Sequence, residues 1–109
     1  MSKDQAIYQK INIDGITFTV NTIIVELKAN YQYSLSSAMY PLELGNGLFI
    51  RQLKPDYIIN GENIEADCPN KFSWQYTGSG LRNLKTGFAP SIEACYFAFK
   101  NASRRLIAA

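Results

Sequence analysis

The stretch INIDGITF constrains this chain more than any other. Asp14-Gly15 is a two-residue hairpin signal, because both central positions of a type I′ turn need positive φ and Asp-Gly supplies it at little cost. A two-residue loop fixes the register: Ile13 opposite Ile16, Ile11 opposite Phe18, Gln9 opposite Val20. Ile7, Ile11, Ile13, Ile16, Phe18 and Val20 then share one face, and Tyr8, Lys10, Asn12, Thr17 and Thr19 share the other. An isolated hairpin cannot bury such an apolar face, so other elements must cover it.

The rest of the chain supplies them. TIIVELKA is β-branched and reads as a third strand with Ile23, Val25, Leu27 and Ala29 on one face; a short helix capped by Asn21 is the rival over residues 22–29. NYQYSLSSAMYP is polar and Ser-rich and reads as a loop or a ragged edge, and an edge strand around 31–44 could pair with a copy of itself. PLELGNGLFIRQL reads as a hairpin with Asn46-Gly47 near its tip, and DYIINGENIEA as another turning at Asn60-Gly61. KFSWQYTG is a further strand, and GSGLRNLKTG a turn or mobile loop.

SIEACYFAFKNASRRL is the one clear helix. Pro90 and Ser91 suit its start, Glu93 the positive end of its dipole, and Arg104 and Arg105 the negative end. Ile92, Cys95, Phe99, Ala102 and Leu106 step by three and four, giving an apolar stripe for the core. The expected fold is α+β: an antiparallel sheet of about five to six strands, a hairpin meander, packed against one C-terminal helix. A chain of 109 residues, 47% apolar and 18% charged, fits one globular domain spanning 1–109.

The chemistry is narrowed mainly by an absence. There is no histidine in the chain. That removes Ser-His-Asp and Cys-His catalysis and every His-containing metal site. Of the two cysteines, Cys68 and Cys95, the second lies on the apolar helix stripe and reads as a small core residue. Both are expected as free thiols in a reducing compartment. GNG at 45–47 and GSG at 78–80 lack the context of a phosphate loop. Glu62, Asn63, Glu65 and Asp67 cluster, but in no known cation-loop spacing, and read as a charged strand edge. No cofactor, metal or catalytic residue is expected. No apolar run is long enough to cross a bilayer, and MSKDQAIYQK lacks the apolar core of a secretory signal, so a cytoplasmic protein is expected.

Charge is divided unevenly. Residues 1–70 carry five Lys/Arg against eight Asp/Glu, and residues 71–109 carry six against one. The two halves either neutralise each other or leave a basic end for a polyanion. A second helix stripe mixes rings and cations: Tyr96, Phe97, Lys100 and Arg104. Arg82 and Lys85 extend it from the preceding segment, with Trp74 and Tyr76 beside them. Rings and cations of this kind are enriched where proteins dock. The expected function is a small non-enzymatic binding module, of inhibitor or adaptor type, acting on a larger protein through Tyr96, Phe97, Lys100, Arg104, Arg82 and Lys85, as a monomer or homodimer. The alternative is nucleic-acid binding by the basic, aromatic C-terminal half. Over the last third, the order WQYTGSGLRNLKTGFAPSIEACYFAFKNASRRL resembles the closing half of a double-stranded RNA-binding domain. That resemblance implies phosphate contact from the start of the last helix, where the family carries lysines and this chain carries Ile92 and Glu93.

Overall fold

The computed structural model describes residues 5–28, 30–41, 47–64, 69–77 and 85–108, with helix side chains as far as Ala102. Eight strands and one helix follow in order: β1 (Gln5–Ile13), β2 (Ile16–Lys28), β3 (Tyr31–Pro41), β4 (Gly47–Gln52), β5 (Asp56–Ile59), β6 (Glu62–Ile64), β7 (Phe72–Thr77), β8 (Lys85–Ala89) and α1 (Ile92–Ala108). All pairings are antiparallel, and the main path through the sheet runs β1-β2-β3-β4-β7-β8. β5 and β6 form a short flap beside the first half of β3. The fold is therefore the expected α+β arrangement, with more strands than expected.

The first hairpin has the register its turn dictates, Ile13 with Ile16, Ile11 with Phe18 and Gln9 with Val20. Asp14 and Gly15 sit at φ 56° and 79°, and the Gly15 N–H donates to Asn12 Oδ1 at 3.1 Å. Asn60 and Gly61 turn β5 into β6 in the same way, at φ 54° and 84°.

Three expectations need correction. Residues 22–28 are strand, as expected, but start no new element: β2 runs unbroken through them to Lys28, and Ala29 lies outside the described residues. The Ser-rich stretch is neither a loop nor an edge; it is β3, which pairs with β2 on one side and with β4 and β5 on the other. Its polarity is that of a strand whose Ser34 and Ser36 point to one face and whose Tyr33 and Leu35 point to the other. The expected hairpin from β3 to β4 is present, with Pro41 opposite Gly47, the first residue of β4; Asn46 lies outside the described residues. Lys85, Thr86 and Gly87, read as loop, belong to β8.

α1 lies across β8, β7 and β4. Ser91 caps it, its Oγ accepting from the Ala94 N–H at 3.0 Å. Between it and the sheet, Phe18, Leu48, Ile50 and the helix's own Cys95 are fully buried, with Ile13, Val20, Ala38, Phe72, Trp74 and Ala89 around them. Side chains of this size contribute about 1.5–3 kcal/mol each when fully buried. Gly87 is paired with Trp74 across β7 and β8, and a Cβ there would stand 2.5 Å from the indole nitrogen.

The molecule is long, 54 × 27 × 25 Å, because β2 and β3 run on past the helix as an arm flanked by β5 and β6. At the step from β4 to β5, β3 loses its neighbour. Gln52, buried, fills the gap: its Oε1 accepts from the Ser36 N–H at 2.8 Å and its Nε2 donates to the Lys54 carbonyl at 2.7 Å. The Asn60 N–H donates to the Asn30 carbonyl at 2.9 Å and so ties the two arm turns together.

Candidate functional site

Among the described residues expected to form a docking stripe, Tyr96 does not reach the surface. Tyr96 is 5% exposed and belongs to the core. Its ring meets Phe18 edge-on, with centroids 5.7 Å apart, and its hydroxyl donates to Asp14 Oδ2 at 3.2 Å. Burial, and then this bond to a carboxylate, raise its pKa above the ordinary tyrosine value. The helix buries a stripe wider than the one read from spacing: Ile92, Cys95, Tyr96, Phe99 and Ala102 all pack inward. Leu106, Arg104 and Arg82 lie outside the described side chains. Trp74 is buried and Tyr76 packs on Phe99 at 4.9 Å, so neither extends a surface.

Lys100 does reach the surface, but its Nζ contacts Asp14 Oδ2 at 2.6 Å. Lys71 pairs with Asp56 at 3.5 Å. In both cases a cation of the basic half meets an acid of the acidic half. Lys85 is exposed at the start of β8. On the helix surface, Phe97, 41% exposed, lies between exposed Glu93 and Asn101. One ring between an acid and an amide is a small patch. Cys95 is fully buried, and desolvation pushes its thiol up to about 12, far from a reactive thiolate. Glu62 and Asn63 are exposed on β6, and Glu65 and Asp67 lie outside the described residues. Among the described residues no group of three or more His, Cys, Asp or Glu could hold a metal, and no helix is long and apolar enough to cross a membrane.

The larger surface is the sheet face away from the helix, which no described element covers. It has two parts. At the helix-backed end, one row crosses six strands in register: Tyr8, Asn21, Ser37, Arg51, Ser73 and Phe88. Tyr8 and Phe88 are 69% and 66% exposed. In the arm, the face changes character. The helix side of β2 and β3 turns mostly polar, with Thr22 and Ser36 hydrogen-bonded at 2.9 Å and Glu26 paired with Gln32, although Ile24 beside Ser34 and Ile58 beside Gln32 remain on it. The opposite side turns apolar: Ile23 stands beside Leu35, Val25 beside Tyr33, Tyr33 beside Tyr57, and Tyr57 beside Ile64. Tyr31 and Ile59 add a further pair, and Leu27 lies at a bulge in β2. Ile23, Leu27, Tyr31, Tyr57 and Ile64 are exposed.

Sequence reasoning did not assemble this surface, although its signal was present. Spacing puts Ile23, Val25 and Leu27 on one face, but a loop or ragged edge over the β3 residues offers them no partner row within the sheet. No family model, curated protein or solved structure matches the chain, and the likeness of its last third to a double-stranded RNA-binding domain gains no support from them.

Proposed function

We propose that the protein is a non-enzymatic binding module that docks on a larger protein, as an inhibitor or adaptor does, through the apolar outer face of its arm. One observation carries this reading: along β2 and β3 the apolar side chains change sides. Under the helix they point inward, as at Phe18, Val20 and Ala38; beyond it they point outward, as at Ile23, Val25, Tyr33 and Leu35. A strand solvated on both sides gains nothing from such a change, whereas a strand that receives a second layer from outside does. Completing the burial of five exposed apolar side chains would contribute on the order of 5 kcal/mol, set against the entropy of association. The histidine-free chain and the inert Cys95 thiol support a role without catalysis.

A photoreactive phenylalanine analogue placed at Tyr57, and separately at Thr86 as a control, tests this in the native host. The expected result is one adduct heavier than two copies of the chain, formed from Tyr57 and not from Thr86, and lost in an Ile23→Ser/Ile64→Ser variant with an unchanged melt. Adducts of twice the chain mass, adducts with lipid alone, or equal yields from both positions would overturn it.

A further inference from the structure

On the helix-backed half of the open face, a groove of about 430 Å³ lies between Tyr8 on β1 and Phe49 on β4. Asn21 and Ser37 line it, Met39 forms part of one wall, and Arg51 stands at its rim. Three observations describe what would fit. First, the charge is of one sign. The outward side chains here include Lys10 and Arg51, and among the described residues of β1 to β4, β7 and β8 on this half no carboxylate points outward. Second, exposed rings border the groove: Tyr8 on one side, Phe49 on the other, and Phe88 farther along the same row as Arg51. Third, Asn21 Oδ1 is buried and has no hydrogen-bond partner among the described residues. A buried acceptor without a donor is costly, and rotation of the Asn21 side chain into the groove would let a ligand N–H relieve it.

We propose that this groove binds single-stranded nucleic acid. One backbone phosphate sits on Arg51 and another, farther along the strand, on Lys10 three strands away; a base stacks on Phe49 or Tyr8, and a base N–H meets Asn21 Oδ1 once that side chain turns into the groove. Open strands are recognised in this way, by aromatic platforms beside cations, with the rings tolerating any base. The row from Tyr8 to Phe88 crosses five strand spacings, about 24 Å. That is several times the size of one nucleotide, so a strand fits the whole row better than a free nucleotide. The site is separate from the basic C-terminal half, where Lys71 and Lys100 are engaged with acids. It is also separate from the arm, so either surface can fail without the other.

Fluorescence anisotropy of a short fluorescein-labelled oligothymidylate and its oligouridylate counterpart, titrated with the full chain at low salt, tests the proposal. Saturable binding is expected, with a log–log salt slope of about −0.7 per phosphate contact, hence about −1.4 for two cations. Arg51→Glu should weaken it at least tenfold, Arg51→Lys much less, and Phe49→Ala by roughly 5- to 100-fold, the range for one lost stacking partner. Lys85→Glu and the arm variant Ile23→Ser/Ile64→Ser should bind as the parent does. Thermal melts confirm that each variant is folded, and Arg51→Lys remains informative if Arg51→Glu is not. No binding, binding insensitive to Arg51→Glu, or equal competition by poly-glutamate would overturn the proposal; the last would mark a site for acidic peptides. Full competition by free AMP at concentrations where the oligonucleotide gains no affinity would overturn the strand reading in favour of a mononucleotide.

Discussion

At the residue scale, Asp14 does two things that spacing alone could not reveal together. It adopts the left-handed conformation of the first turn, and its carboxylate receives both Tyr96 and Lys100 of the helix. The turn signal was local and legible; the helix partners lie 82 and 86 residues away, with no local trace. For the same reason spacing alone puts Tyr96 on the surface stripe. Spacing gave the centre of the buried stripe, but its width depends on the sheet beneath. The Lys100 contact is exposed and contributes little, within about 1 kcal/mol. The Tyr96 bond is better shielded, and Tyr96→Phe should cost about 1 kcal/mol, read from denaturant melts. It also has a pH signature. The folded chain holds the Tyr96 pKa above the ordinary value of 10.0, so its contribution is complete below pH 10.0 and is lost as pH rises through the raised value. The parent should lose more stability than Tyr96→Phe as pH climbs above 10.0; parallel curves would remove the role given to this hydroxyl. Gly87→Ala, which would put a methyl group against the Trp74 indole, should cost about 1–3 kcal/mol by overpacking. A melt within error of the parent would mean that the indole moves aside freely. In a Cys68→Ser background, Cys95 should resist alkylation until the chain unfolds, since its thiol is buried and its pKa lies near 12.

At the element scale, the elements read correctly were those with their own punctuation. Asp14-Gly15 and Asn60-Gly61 fixed two hairpins, and Ser91 with the three-and-four apolar spacing fixed the helix. β3 has no such mark. Its outward residues Tyr31, Tyr33, Leu35 and Met39 alternate with Gln32, Ser34, Ser36 and Ala38 as a strand requires, but average polarity hid the alternation. The continuity of β2 is hidden for a similar reason: polar Asn21 separates the first hairpin from TIIVELKA in the sequence, whereas in the structure it is a mid-strand residue facing the groove. Gln52 shows what the missing β3 contacts entail. It stands in for a strand where β4 has ended and β5 has not begun. Gln52→Leu keeps the volume and leaves the Ser36 N–H buried without its acceptor, so a loss of about 1–3 kcal/mol is expected in equilibrium unfolding. A neutral outcome would mean that water enters the step and replaces the side chain.

At the scale of the whole molecule, the decisive asymmetry is between an end with two layers and an end with one. Phe18, Leu48, Ile50 and Cys95 are sealed between sheet and helix. The arm has the same hydrogen-bonded ladder, but its apolar side is open and its other side is mostly polar, with only Ile24 and Ile58 as large apolar side chains among the described residues of β2, β3 and β5 there. Backbone pairing alone gives strands little independent stability, so the two ends should open with different free energies. Amide hydrogen exchange reads this directly. Val25, Tyr33, Tyr57 and Ile58 should exchange by local opening, well before Phe18, Ile50 and Trp74, which should exchange only with global unfolding. The arm's protection should rise when a protein partner covers Ile23, Tyr57 and Ile64, and should not change when an oligonucleotide occupies the groove beside Arg51. Uniform protection in the isolated chain would mean that the arm is held as firmly as the core, and the change of sides along β2 and β3 would then need no second layer to explain it.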